Sequence, residues 1–235
     1  MGRVFGYRAA CRGVMLAWCS VLFACAGDSG PSADSQQAAS QAQQLLSSGS
    51  RADGKALYQA CAACHGAQAE GNRALGAPSL RNQQHWYLRR QLDQYRAGQR
   101  GSHPKDSYGQ QMQAIAKTLP DDAAVEAVVS YIAGLGNKPA PATLTGDAKR
   151  GADYYSNLCG ACHGPNAEGL ELLQAPALAG VDDWYLRRQF THFRDGLRGA
   201  DQGDKYGYQM AMMAGSLPDE AVLDDVLVYI QSLAD

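Results

Sequence analysis

The sequence has few features of a membrane-spanning or nucleic-acid-binding protein. Its apolar run near the N-terminus, residues 14–24, has 11 residues, which is too few to span a bilayer comfortably. Acidic side chains outnumber basic ones by 23 to 21, and the count becomes 23 to 18 without the first 25 residues, which hold three arginines and no acid. The resulting net charge of −5 (18 − 23) makes a general nucleic-acid-binding surface unexpected.

Residues 1–25 have the composition of an export signal, with arginines first and an apolar run after them. The segment LFAC at 22–25 resembles the bacterial lipobox, in which the cysteine, here Cys25, is lipidated and becomes the mature N-terminus. Ordinary signal cleavage near ACAG is the alternative. Both interpretations place the folded part outside the cytoplasm. We expect a periplasmic protein that is tethered to the membrane by a lipid at Cys25.

Residues 26–50 are rich in Ser, Gln, Ala and Gly and have almost no large apolar side chains. Such a segment cannot bury enough surface to offset the entropy lost on ordering. The composition therefore predicts a flexible tether.

The remainder of the chain is an internal repeat with an offset of 98 residues. Between residues 61 and 135, 36 of 75 positions are identical to the residue 98 positions later. The matched phrases include CAACHG and CGACHG, WYLRRQ in both copies, and LPD in both copies. We predict two tandem domains that arose by duplication, the first over 51–137 and the second over 149–235, with a linker at 138–148.

Each copy is predicted to be all-α. Apolar residues recur at helical spacing in WYLRRQLDQYRAG (86–98) and in LPDDAAVEAVVSYIAGL (119–135), the second with a proline and acids at its start. No segment has convincing strand alternation. The stretch between these helices, with Gly, Ser and Pro, is predicted to be a loop.

Two Cys-x-x-Cys-His motifs indicate which cofactor the chain binds. Two thiols three positions apart lie on one side of a helical turn and can form thioether bonds to the two vinyl groups of one porphyrin, while the next residue, a histidine, reaches the iron. The sequence therefore predicts two covalently bound haem c groups. The residues concerned are Cys61, Cys64 and His65 in the first copy, and Cys159, Cys162 and His163 in the second.

Two other uses of a Cys-x-x-Cys pair fit the sequence less well. A zinc site needs four protein ligands, and neither copy has a further cysteine. A thioredoxin-like redox pair belongs to a βαβ setting, which the all-α pattern does not provide.

The second axial ligand of each iron should occur in both copies. The three other histidines fail this test, because His85, His103 and His192 align with Asp183, Asp201 and Gln94. Met112 passes it, because it aligns with Met210 in YGQQM and YGYQM. We predict Met112 and Met210 as the ligands, each in a glycine-bearing loop.

Met212 and Met213 are the competitors in the second copy. They align with Ala114 and Ile115, which cannot bind iron, so they are expected to pack against the haem instead.

Three more matched features have two interpretations each. Pro78 and Pro176 follow the histidines by 13 residues and either turn a carbonyl toward the imidazole or form a simple turn. The matched Trp-Tyr pairs line the haem crevice or belong to a general helix core. The matched arginine pairs, Arg89-Arg90 and Arg187-Arg188, neutralise propionates or contact partners, or form a solvated helix face.

The duplicated pattern CxxCHG, AP.L, YL..Q, G.R, M and LPD resembles the di-haem cytochromes c of the cytochrome c4 type. Each copy is also similar to the haem domains fused to some terminal-oxidase subunits. The resemblance covers about residues 51–235. It implies two class I cytochrome c domains about a pseudo-twofold axis, with electron transfer between the irons. The family's axial ligand lies seven residues before the leucine that opens the last helix, and Met112–Leu119 and Met210–Leu217 keep that interval.

An iron with histidine and methionine ligands has a filled coordination sphere and passes single electrons with little rearrangement. We therefore expect an electron-transfer protein without enzymatic activity. It would carry electrons from a quinol-oxidising complex or dehydrogenase to a terminal oxidase or reductase. The alternatives are a di-haem enzyme, such as a peroxidase or sulfur-compound oxidase, and a fixed haem subunit of a larger complex.

Overall fold

The computed structural model describes Gln37 and residues 53–234. The predicted export signal, the lipid site at Cys25 and, apart from Gln37, the predicted tether lie outside these residues. Among the helices of the described part, none combines the length and apolar character that a bilayer crossing requires.

Between residues 53 and 137 the first copy forms four helices, which we number α1 to α4. They are α1 (53–65), α2 (His85–Ala97), α3 (Ser107–Ala116) and α4 (Asp122–Ala133). Aspartates cap two of them, because Asp106 accepts from Gly109 N and Asp121 accepts from Ala124 N, both at 2.8 Å. Helix α2 ends at Gly98, whose φ of 77° is left-handed.

The second copy repeats this order. Helix α5 (Ala148–Tyr154) continues through a π-helical turn (Tyr155–Cys159) into α6 (Gly160–His163), followed by α7 (Asp183–Arg194), α8 (Lys205–Ala214) and α9 (Glu220–Ser232). Short 3₁₀ turns lie at Arg73–Leu75 and Glu171–Leu173. Residues 53–234 form only two isolated β-bridges and no strand. The all-α prediction is confirmed.

The π-helical turn marks a one-residue insertion in the second copy. Upstream of the cysteines the structural match has an offset of 97 residues instead of 98, because Tyr155 takes the place of Tyr58. Each tyrosine is buried and donates its hydroxyl hydrogen bond just beyond the Cys-x-x-Cys-His motif, to Gly66 O at 2.8 Å and to Gly164 O at 2.6 Å. A π-helical turn accommodates one extra residue inside a helix, so both tyrosines keep the same role.

The first and last helices of each domain cross at a glycine. A Cβ on Gly54 would lie 2.1 Å from Ala127 O, and a Cβ on Gly151 would lie 2.0 Å from Asp225 O. Only glycine allows the helix backbones to approach this closely. The buried apolar face of the last helix then completes each core, with Val125, Val128, Val129 and Ile132 in α4, and Val222, Leu223, Val226, Leu227 and Ile230 in α9.

The prediction that the two methionines lie in loops is wrong. Met112 lies inside α3 and Met210 inside α8. The glycine that suggested a loop, Gly109, lies in the first turn of α3, and a Cβ there would lie 2.1 Å from the Asp106 carboxylate that caps the helix. The glycine is therefore needed for the cap, and it does not interrupt the helix.

Candidate haem sites

A cavity of about 650 Å³ brings the predicted site residues together. Its lining includes both complete sets, which are Cys61, Cys64, His65 and Met112 from the first domain and Cys159, Cys162, His163 and Met210 from the second. Met213 also lines it, whereas Met212 is absent from the lining and 64% exposed. The expected packing of Met212 against the haem is therefore not seen, while that of Met213 is compatible with its position.

Each motif histidine is held in one orientation. The Nδ1 atom of His65 lies 2.8 Å from Pro78 O, and that of His163 lies 2.8 Å from Pro176 O. A carbonyl oxygen only accepts, so Nδ1 carries the proton and Nε2 keeps its lone pair. Burial lowers the pKa of both histidines, which favours the neutral, ligating form. The predicted role of the two proline carbonyls is confirmed.

The cysteines that begin the motifs lack the properties of redox thiols. Burial raises the pKa of Cys61 to about 11, with a smaller contribution from Cys64, and Cys159 is raised to about 11 in the same way. Reactive and disulfide-exchanging cysteines have a lowered pKa. This environment disfavours the thioredoxin-like alternative.

The matched arginine pairs divide into an outer and an inner member. Arg89 pairs with Glu126 at 2.7 Å, and Arg187 pairs with Asp224 at 2.6 Å, on the partly exposed side of their helices. The inner members, Arg90 and Arg188, reach across to the other copy. Their hydrogen bonds go to Gln174 O at 3.1 Å and to Gly76 O at 2.7 Å.

The inner arginines also contact aromatic rings, and Tyr87 and Tyr185 line the cavity. Trp86 and Trp184 are not among the described lining residues. Of each Trp-Tyr pair, the tyrosine therefore occupies the crevice position that we considered for both aromatics.

A buried arginine network at the interface of the two domains was not anticipated. Arg100 is 5% exposed and donates to Tyr185 Oη at 3.0 Å and to Gln189 Oε1 at 2.7 Å. Its counterpart, Arg198, is 8% exposed and donates to Tyr87 Oη at 2.9 Å and to Gln91 Oε1 at 2.8 Å. The repeated G-x-R of GQR and GLR, at 98–100 and 196–198, was the signal that could have pointed to them.

The two buried arginines and the two half-buried inner ones have no ion-pair partner within residues 53–234. None of the carboxylates described there lies within 4.0 Å of Arg90, Arg100, Arg188 or Arg198, all of which line the cavity. Burial would raise the pKa of Tyr185, but the positive charges of Arg100 and Arg198 lower it overall. A buried charge is normally compensated, so this cavity suits a group that brings negative charge with it.

A haem meets these requirements. Its apolar ring suits the apolar cavity, its vinyl groups suit the two thiols, its iron suits an imidazole nitrogen and a thioether sulfur, and its propionates suit the arginines. The donor set present in each domain therefore fits the cofactor that the sequence predicts.

Comparison with known proteins gives the class to which the chain belongs. Residues 51–136 and 148–234 each match the model of the cytochrome c family. The chain belongs to the cytochrome c family, and it contains two such domains in tandem. It carries two covalently bound haem c groups.

Relatives and solved structures narrow the class further. The chain is 35% identical to the thiosulfate dehydrogenase electron acceptor of Stutzerimonas stutzeri, over 73% of this chain and 82% of that protein. It is 34% identical to the cbb3-type cytochrome c oxidase subunit FixP of a Bradyrhizobium strain, over 65% of this chain and 55% of FixP.

Reduced recombinant cytochrome c4 from Pseudomonas stutzeri has a TM-score of 0.59 and 26% identity, covering 77% of this chain and 97% of that one. The thiosulfate dehydrogenase (TsdBA) from Marichromatium purpuratum also has a TM-score of 0.59, with 28% identity over 76% of this chain and 39% of that one. The chain is a di-haem electron-transfer cytochrome, as its resemblance to the cytochrome c4 family predicted.

Proposed function

We propose that the protein is a one-electron relay in which both irons have histidine and methionine ligands. One haem is bound through Cys61 and Cys64 and the other through Cys159 and Cys162. His65 and Met112 are the axial ligands in the first domain, and His163 and Met210 are those in the second. The observation that carries this proposal is that the matched methionine and the motif histidine line the same cavity in both domains.

The haem supplies an iron that accepts and releases one electron. The protein residues would fill the coordination sphere of that iron and hold its ligands in position. Pro78 O and Pro176 O orient the imidazoles, and Tyr58 and Tyr155 anchor the backbone that follows each motif. Met112 and Met210 lie inside α3 and α8, which would hold their thioethers in position.

We propose a dehydrogenase of the thiosulfate-oxidising type as the electron donor. The support is the similarity to two thiosulfate dehydrogenase electron acceptors, at 35% and 34% identity, and to a thiosulfate dehydrogenase structure. A terminal oxidase or reductase is the proposed acceptor, in line with the similarity to an oxidase subunit. A quinol-oxidising complex remains the alternative donor.

Stopped-flow reduction tests the donor. The oxidised di-haem protein is mixed with thiosulfate alone, with thiosulfate plus a thiosulfate dehydrogenase, and with a quinol-oxidising complex plus quinol. We expect rapid reduction of both haems only where the dehydrogenase is present. Rapid reduction by thiosulfate alone would favour the di-haem enzyme, and reduction only by the quinol system would replace the proposed donor.

The remaining parts of the proposal concern location and organisation. We propose an exported protein held at the membrane by a lipid on Cys25, with domains at 51–137 and 149–235 joined by a linker at 138–148. Mass spectrometry of the mature protein tests the anchor, because a diacylglyceryl group on an N-terminal Cys25 has a defined mass. An unmodified N-terminus beyond residue 25 would establish ordinary signal cleavage.

A further inference from the structure

A carboxylate of the second domain is connected to the iron-binding histidine of the first through one peptide group. The Pro78 carbonyl accepts the hydrogen bond of His65 Nδ1 at 2.8 Å. The N–H of the same peptide group, that of Ser79, donates to Asp182 Oδ2 at 2.7 Å. Hydrogen bonds in such a chain polarise one another, so the charge of Asp182 acts on the imidazole of His65 through the peptide.

The second domain has the same chain without the charge. His163 Nδ1 bonds to Pro176 O at 2.8 Å, and the N–H of Ala177 donates to Gln84 Oε1 at 3.1 Å. Gln84 occupies the position that Asp182 occupies in the other copy, 98 residues away. The duplication therefore supplies its own comparison, with a carboxylate behind one histidine and a neutral amide behind the other.

Asp182 is placed to be ionised. Both of its oxygens accept hydrogen bonds, Oδ2 from Ser79 N and Oδ1 from Trp184 Nε1 at 3.1 Å. It is also the N-cap residue of α7, where the helix dipole favours negative charge. Burial and, to a smaller extent, the neighbouring Asp183 raise the pKa of Asp182 above its usual value, and these hydrogen bonds limit the rise. The carboxylate acts electrostatically on His65, and no such contribution is found at His163.

The charged side chains that line the cavity occur in matched pairs. Among the described lining residues, the charged side chains other than the two ligating histidines are Arg90 with Arg188, Arg100 with Arg198, and Asp106 with Asp204. His192, 3.7 Å from Asp106, aligns with Gln94 and is unmatched. Burial lowers the pKa of His192, so it is mainly neutral near pH 7. Two unmatched charges lie near Asp182, but Asp183 bonds to Thr143 N and Leu144 N, and Arg81 bonds to Leu135 O and Gly136 O. Asp182 is therefore the carboxylate that is bonded to the peptide group behind one of the two histidines.

We propose that Asp182 lowers the reduction potential of the haem in the first domain relative to that in the second, and so directs a shared electron to the second domain. A negative charge stabilises the ferric iron, and a more polarised peptide makes the imidazole a better electron donor. The step moves one electron from ferrous iron in the first domain to ferric iron in the second, with no further reactant. Asp182 is a positioning residue, and the inference rests on the proposed attachment of haem at His65 and His163.

The size of the effect follows from electrostatics. A unit charge acting over roughly 10 Å at an effective dielectric constant of about 20 changes an equilibrium about tenfold. For a one-electron couple, a tenfold change corresponds to about 59 mV. We expect Asp182 to account for a preference of this order for the electron to occupy the second domain.

Reciprocal variants test the proposal in the full-length di-haem protein. Asp182→Asn removes the charge and retains an acceptor for Ser79 N, while Gln84→Glu adds a charge at the equivalent place. Asp182→Gln, which places behind His65 the same amide that Gln84 places behind His163, is the second choice if the asparagine variant does not fold. Asp201→Asn is the matched control, because this exposed aspartate also accepts a backbone hydrogen bond, from Gly203 N at 2.8 Å.

The readout is a redox titration followed by nuclear magnetic resonance, with haem methyl resonances assigned to each domain. Asp182→Asn should raise the potential of the first haem, Gln84→Glu should lower that of the second, and the double variant should reverse their order. The control should leave both unchanged. If the wild-type protein holds two methionine-ligated haems but Asp182→Asn leaves their separation unchanged, the role of Asp182 is refuted while the proposed function stands. Absence of methionine ligation in the wild type would overturn the proposed function, and an iron in the first domain that His65 does not ligate would overturn both.

Discussion

Replacing Gly151 by alanine tests the helix crossing that builds the second domain. A Cβ at this position would lie 2.0 Å from Asp225 O and 2.5 Å from Asp225 C, so α5 and α9 must separate. Gly151 does not have a positive φ, and an alanine there would strain no backbone angle. Helix propensity alone therefore predicts stabilisation by about 1 kcal/mol. The two arguments give opposite signs.

Packing should outweigh propensity. Overpacking a close-packed contact costs typically about 1–3 kcal/mol, and a backbone oxygen cannot move aside as a flexible side chain can, so we take the upper end. The net expectation is destabilisation by about 2 kcal/mol, the difference between about 3 for packing and about 1 for propensity.

Chemical denaturation of the holoprotein, followed by circular dichroism and by haem absorption, measures this change. Gly160→Ala is the matched control in the same helical segment. There the nearest atoms to a Cβ lie 3.4 Å away, and the first domain already has an alanine, Ala62, at the equivalent place. We expect the control to be neutral or slightly stabilising. If Gly151→Ala were as stable as this control, the proposed close approach of α5 and α9 would be refuted.

Three further predictions concern the haem sites and the second core. Met112→Ala and Met210→Ala should each leave one coordination position of one iron vacant, so that carbon monoxide binds half of the ferrous haem. The reduction potential of that haem should fall because the soft sulfur ligand is lost. If neither variant binds carbon monoxide, these residues are excluded as ligands. Tyr155→Phe should lower the free energy of unfolding by about 1–2 kcal/mol, because a buried hydroxyl bond to Gly164 O is lost; an unchanged denaturation midpoint would contradict this. The hydrogen bond from Arg150 lowers the pKa of Asp225 below 3.8. This carboxylate therefore contributes stability that is present above its unfolded pKa and is lost as the pH falls through its folded pKa. When the free energy of unfolding is measured at decreasing pH, it should fall less steeply for Asp225→Asn than for the wild type, and an identical fall would refute the contribution.

Sequence reasoning reached the parts of the site that are local or repeated. The spacing of Cys61, Cys64 and His65 is set within one helical turn, and comparison of the two copies selected Met112 over the unmatched histidines. The 98-residue offset also predicted the order of the helices. In these cases the information lies in one segment or in the identity of two aligned residues.

The remaining features depend on contacts between distant segments. Ser79 and Asp182 are 103 residues apart in the chain, and the Arg100–Gln189 bond joins residues separated by 89. Their meaning arises only when the two domains pack together. The wrong prediction of a loop around Met112 has a different cause. A glycine between two helices is typical of a loop, whereas at Gly109 the Asp106 cap requires a residue without a side chain inside a helix.

The intensity of the far-red absorption band that methionine gives to oxidised haem iron, measured per mole of a protein with a known haem content, tests the central claim most directly. The account predicts two haems per chain and a band with the intensity of two methionine-ligated irons. A protein with one haem, or with two haems that have a high-spin spectrum and no such band, would contradict an electron relay in which Met112 and Met210 ligate the two irons.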